Sequence, residues 1–112
     1  MTMMLSEHFA LSELTVTSTG LLNVPGPAEL GELRRLCNQV LEPWRAQVGP
    51  IRITSGFRTV AVNAAIGGSR TSDHMRGRAV DCQPISVPLP QAWHALLTLA
   101  PELLVDQAIV YQ

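Results

Sequence analysis

Between Ala28 and Gln47 apolar residues recur at steps of three and four: Leu30, Leu33, Cys37, Val40, Leu41 and Trp44, with Val48 just beyond. That spacing predicts an amphipathic helix with a single apolar stripe. Pro43 falls inside it and is expected to kink the helix or begin its final turn. Glu32, Arg34, Arg35 and Arg45 then form a solvated face. Upstream, residues 6–14 suggest a short helix capped by Ser6 or Ser12. Thr15 to Pro27 is a loop, broken by Gly20, Asn23, Pro25, Gly26 and Pro27.

Downstream the period shortens. Ile51-Arg52-Ile53-Thr54 is a β-rich run, and Thr59 to Ile66 predicts a short helix started by Thr59 and stopped by Gly67. From Arg78 to Cys82 the chain reads as a strand, with Ala79 and Asp81 on one face and Val80 and Cys82 on the other. Pro84 to Pro90 is a turn-rich connection. Pro90 opens a helix to about Leu99, with Trp93, Leu96 and Leu97 facing inward. Val105 to Tyr111 reads as a last strand. The expected class is α+β: residues 1–112 form one domain in which a small, largely antiparallel sheet of 51–54, 78–83 and 105–111 packs with helices.

Composition narrows the function. At 112 residues, 46% apolar and 15% charged, the chain has the balance of one small globular domain. A net charge of −1 gives no footprint for nucleic acid or an anionic membrane. No apolar run approaches the ~20 residues needed to span a bilayer. Cys37 and Cys82, on a helix face and a strand, read as small buried hydrophobes and not as a disulfide framework.

The candidate chemistry gathers in Ser72-Asp73-His74-Met75-Arg76-Gly77-Arg78-Ala79-Val80-Asp81, of pattern S-x-H-x-x-G-x-A-x-D. An imidazole nitrogen of His74 and a carboxylate oxygen of Asp81 are ordinary ligands for zinc. Gly77 lets the chain reverse between them, and a small residue at 79 leaves room beside the carboxylate. Cys82, next in sequence, points to the opposite strand face. His8 and His94 have no neighbours at metal-ligand spacing and read as structural or exposed residues.

The order T-S-G-F-R at 54–58, V-N-x-A-I-G-G-S at 62–69 and then the His74 motif resembles the zinc D-Ala-D-Ala carboxypeptidase family. Its relatives include phage endolysins that cut the peptide stems of bacterial cell wall. Leu5-Ser6-Glu7-His8-Phe9-Ala10-Leu11-Ser12-Glu13-Leu14 resembles that family's opening segment. The resemblance implies a hedgehog/DD-peptidase-like fold and a LAS-type metallopeptidase. It implies zinc held by His74, Asp81 and a second histidine after the last strand, with water in the fourth position acidified for attack on a peptide carbonyl. It implies that Arg58 binds substrate through its planar fork, that Ser72 orders the ligand loop, and that a carboxylate near the second histidine is general base.

The sequence departs from that pattern at its end. After Asp81 the only histidine is His94, on a predicted helix, and relatives commonly carry Tyr-Glu where this chain has Tyr111-Gln112. The third metal ligand and the general base are thus missing, no catalytic residue is identified, and two ligands are expected to hold zinc weakly or partially. Two readings stand: a peptidase acting on peptidoglycan stem peptides, and a non-catalytic wall-binding or virus-particle component that keeps the fold. Met1-Thr2-Met3-Met4-Leu5 lacks the features of a secretion signal. Synthesis in the cytoplasm and delivery through phage lysis or within a virus particle is therefore expected. If the family's next strand is missing, the edge at 105–111 is expected to pair with a second copy or another chain.

Overall fold

The computed structural model describes residues 3–99. Its elements are helix α1 (Leu11–Leu14), α2 (Pro27–Leu36), a π turn (Cys37–Leu41), α3 (Glu42–Val48), strand β1 (Ile51–Ser55), α4 (Val60–Ala65), a 3-10 turn (Asp73–Arg76), β2 (Asp81–Pro84) and α5 (Leu89–Leu99). This is the α+β class that the sequence predicts. The expected strand Val105–Tyr111, and with it the edge proposed to pair with another chain, lies outside the described residues.

The predicted helix 28–47 is a single rod made of α2, the π turn and α3, with Pro27 at its first position. Its stripe is buried as expected: Leu33, Cys37, Leu41, Trp44 and Val48 lie in the core, with Leu30 and Val40 partly buried beside them. The π turn has two physical causes. Pro43 cannot donate to the carbonyl of Gln39, and its ring crowds that carbonyl in a regular helix. The wider turn gives relief: the Glu42 N–H reaches back five residues to the Cys37 carbonyl. In addition, the apolar stripe from Leu33 to Val48 comes round in four steps at about 3.75 residues per turn, against 3.6 for an ideal α-helix, and one π turn absorbs the difference. Pro43 thus begins the final segment, as the sequence suggests. Burial pushes the Cys37 thiol up to about 12, with the charges of Glu42 and Glu13 adding to it, so it is an inert core residue.

Helix α5 packs against α3, and the Trp44 indole N–H donates to the Ala92 carbonyl at 3.0 Å, tying the two together. Helix α5 begins at Leu89 with Pro90 in its first turn, close to the predicted start. Ala92 and Leu96 are buried and Trp93 packs against the core. Leu97, expected to face inward, is 51% exposed. It lies one residue past Leu96, about 100° round the helix, on the side that turns away from the core.

Three further expectations are corrected. Residues 6–10 are not helical: Met4 and Ala10 form an antiparallel bridge, the Leu5 N–H donates to the Phe9 carbonyl, and only Leu11–Leu14 closes into a helix. Neither Ser6 nor Ser12 caps it. Ala10 is the N-cap and its N–H is taken by the Glu13 carboxylate at 2.8 Å, while the Ser6 hydroxyl donates to Glu42. The predicted strand 78–83 begins only at Asp81. Arg78 N–H is held by the Asp73 carbonyl at 3.1 Å, so the chain is still closing the 3-10 turn there. Glu32 is not merely solvated, since its carboxylate meets the Arg78 guanidinium at 3.4 Å.

Strands β1 and β2 pair antiparallel, with Ile51 opposite Pro84, Arg52 opposite Gln83 and Ile53 opposite Cys82. The ladder then slips, and Ser55, not Thr54, stands opposite Asp81. Thr54 is the extra residue of a β-bulge, and its hydroxyl donates to the Asp81 carbonyl at 3.1 Å.

Candidate metal and substrate centre

The first functional side chain is placed by a loop. Ser72 caps the 3-10 turn, its hydroxyl accepting from the His74 N–H at 3.2 Å. Gly77 ends the turn at φ +74°, a left-handed conformation that the reversal requires. A side chain there would also sit 2.6 Å from the Glu29 carbonyl oxygen of α2. The imidazole of His74 is 14% exposed. Its Nδ1 lies 2.7 Å from the Gly56 carbonyl oxygen. A carbonyl can only accept, so Nδ1 carries a proton, and in the neutral ring the lone pair is on Nε2. That lone pair faces Asp81, whose Oδ2 is 3.6 Å from Nε2.

The second is placed by the strand pair. Asp81 opens β2 opposite Ser55 and is 40% exposed on its side chain. Cys82, next along, pairs with Ile53 and packs toward the core. Burial, and then the charge of Asp81, push its thiol up to about 11, so it stays protonated at neutral pH. Alternation thus separates Cys82 from the carboxylate, as the sequence implies.

The third comes from the segment after β1. Gly56 is buried so tightly that a Cβ would fall on the Leu14 backbone, and the Phe57 N–H donates to the Leu14 carbonyl at 2.7 Å. Arg58 follows, with its own N–H on the His74 carbonyl at 3.0 Å. Its guanidinium, 15% exposed, donates to Ser55 Oγ at 3.2 Å, Asn63 Oδ1 at 3.5 Å and Asp81 Oδ2 at 3.4 Å. Arg58 therefore shares one carboxylate oxygen with His74. A cleft of about 90 Å³ opens beside it, between Val16, Thr17 and Ser18 on one side and Thr54, Ser55 and Arg58 on the other, with Val62 and Ile66 of α4 completing the wall.

Thr59 caps α4 as predicted, its hydroxyl accepting from the Val62 N–H at 3.1 Å. Sequence reasoning named Asn63 only as a position of the V-N-x-A-I-G-G-S motif and gave it no role. It is buried on α4, bonds the Ser69 carbonyl through Nδ2 at 2.8 Å and accepts from Arg58 through Oδ1. An amide directly after Val62 on a short helix is the only local signal of it. Asn23, read as a turn breaker, is buried with its amide bonded to Thr15, Phe57 and Thr59.

His74, Asp81, Arg58 and Ser72 are thus brought to one place, whereas His8 and His94 are not. The His8 ring bonds Glu42 at 2.7 Å, and His94 lies exposed on α5.

A family model described as Peptidase M15 matches residues 7–99, the whole of the described fold apart from its first few residues. The chain belongs to the M15 peptidase family. No curated protein and no solved structure gives a significant match. M15 peptidases are hydrolases and typically zinc-dependent. The donor set can be tested against that metal. Zinc ligands at bond lengths of about 2.0–2.1 Å stand about 3.4 Å apart in a tetrahedron, and Nε2 of His74 and Oδ2 of Asp81 are separated by 3.6 Å. The protonated Nδ1 held by a carbonyl is the arrangement that orients an imidazole toward a metal. The pair fits zinc as two of its ligands. Among the described residues no group of three or more His, Cys, Asp and Glu side chains that could hold a metal converges.

Proposed function

We propose that this M15 domain is a zinc peptidase-like module acting on the peptide stems of bacterial cell wall, in the manner of a D-Ala-D-Ala carboxypeptidase or an endolysin. The observation that carries this reading is the convergence of His74 Nε2 and the Arg58 guanidinium on one carboxylate oxygen, Asp81 Oδ2. His74 and Asp81 would hold the metal, with the third protein ligand coming from outside residues 3–99. Bound zinc supplies Lewis acidity that polarises a peptide carbonyl. The chain's own residues do the positioning. The Gly56 carbonyl keeps the His74 proton on Nδ1. Ser72 fixes the backbone of the ligand turn. Three of the five N–H donors of Arg58 are engaged within the protein, which leaves two for a substrate carboxylate or carbonyl.

Zinc content and peptide cleavage, measured together on the full chain, test the proposal. Zinc retained at micromolar free metal, with D-alanine released or a stem peptide cut, supports it, and His74→Ala and Asp81→Asn should remove both. A folded protein that takes up no zinc and cuts no stem peptide defeats it. If such a protein still binds purified wall material or co-purifies with virus particles, the non-catalytic reading holds instead.

A further inference from the structure

The Gly56–Thr59 segment carries Arg58, yet it belongs to neither strand nor helix. Its backbone groups therefore have no ladder to hold them. On one side His74 supplies partners: its ring takes the Gly56 carbonyl and its carbonyl takes the Arg58 N–H. On the other side the Leu14 carbonyl takes the Phe57 N–H, and one side chain supplies two further bonds. The Asn23 amide donates to the Phe57 carbonyl at 2.8 Å and accepts from the Thr59 N–H at 2.9 Å, so it bonds the residue before Arg58 and the residue after it. Its second N–H donates to the Thr15 carbonyl at 3.0 Å, anchoring it in the 15–26 loop. The side chain is 9% exposed and three of its hydrogen bonds are made.

We infer that Asn23 is the positioning residue for Arg58. The amide works as a one-residue strand partner, fixing the backbone on both sides of Arg58 while touching neither metal ligand nor guanidinium. Through Thr59 it also sets the start of α4, and α4 carries Asn63, whose Oδ1 accepts from Arg58. One of the partners that aim the guanidinium, Asn63, thus depends on a side chain from a distant loop, as does the backbone on either side of Arg58. Aspartate cannot substitute, because it has no N–H for Phe57 or Thr15 and would set a carboxylate against their carbonyls.

The inference rests on the proposed role of Arg58 at the site, and two independent readouts separate its failure from failure of that role. The first is the Arg58 Nε–Hε resonance, which the bond to Ser55 makes distinct in the folded protein. The second is steady-state cleavage of a stem peptide. For Asn23→Ala, measured well below its melting temperature, the Arg58 signal should move toward the free-arginine position. Its kcat/KM should fall by about tenfold or more, the scale found when groups that support a site are removed. Leu96→Ala, a core change on α5, should lower melting at least as far and leave both readouts as in the wild type. If Asn23→Ala does not fold, the milder Asn23→Ser, which keeps a hydroxyl in the loop but cannot span Phe57 and Thr59, takes its place and should move both readouts in the same direction. An unchanged Arg58 signal with kcat/KM within twofold of wild type overturns the inference. If the wild type cuts no stem peptide, the proposed function fails, but the Arg58 resonance still decides whether Asn23 positions it.

Discussion

Leu33, Cys37, Leu41 and Trp44 are held by apolar contact with many neighbours, whereas Gly56 to Thr59 enters the core only through Phe57 and is otherwise held by a few hydrogen bonds with Leu14, Asn23 and His74. The first region is dense and redundant, so its geometry survives small changes and its stability does not. The second is sparse and directional, so stability should survive where geometry fails. Stability and site geometry should accordingly be separable by mutation.

The sharpest test replaces a candidate ligand. His74→Ala should lower zinc affinity by more than about a hundredfold, beyond the 10–100-fold typical of groups that only support a ligand. The same change should cost about 1–2 kcal/mol of unfolding free energy, for one lost bond to a carbonyl. Calorimetric zinc titration and urea unfolding give the two numbers, and unaltered zinc binding would break the comparison. Leu33→Ala should do the reverse. It lies fully buried, so about 2–5 kcal/mol should be lost, with zinc affinity unchanged under conditions where the variant is folded.

Glu42 sharpens the contrast through pH. Burial alone would raise its pKa, but hydrogen bonds from Ser6 and from the ring and N–H of His8 outweigh this and hold it below 4.5. A carboxylate depressed in the folded state adds stability above its unfolded pKa, and this is lost as pH falls through the folded value. Unfolding free energy should therefore decline with acid below about pH 4.5, and Glu42→Gln should flatten that decline while lowering stability at pH 7. A decline of equal depth in Glu42→Gln would reassign it to other carboxylates. The smallest effect expected is at the cap of α4. Thr59→Ala should cost about 1 kcal/mol, readable as a small shift in denaturation midpoint.

The parts of this molecule that were legible in the sequence are those in which a residue's role is set by its own chemistry or by a repeat. The stripe from Leu33 to Val48 marks a helix by its period, and His74, Asp81 and Arg58 carry groups suited to a metal or a carboxylate. What stayed hidden depends on contacts distant in the chain. Leu5 and Phe9 are four apart, as on a helix, yet the chain there curls into a bridge because Glu42 captures Ser6 and His8. The start of β2 shifted for a more local reason, since the Asp73 carbonyl five residues back holds Arg78. Asn23 read as a turn breaker and Asn63 as one position of the 62–69 motif without a role, because an amide does not show its part until its partners are known.

The bulge at Thr54 has one more consequence, which concerns chain length. It places Ser55 opposite Asp81, and Arg58 reaches that carboxylate only three residues later. Removing the extra residue would restore a regular ladder, carry every later position back by about 3.3 Å and turn each side chain to the other sheet face. Substitutions along this segment can be graded in their effect, but insertions and deletions between Ile53 and Arg58 cannot. Among relatives that keep the Arg58–Asp81 pair, this stretch should hold its length and its glycine at 56, whatever changes at the other positions.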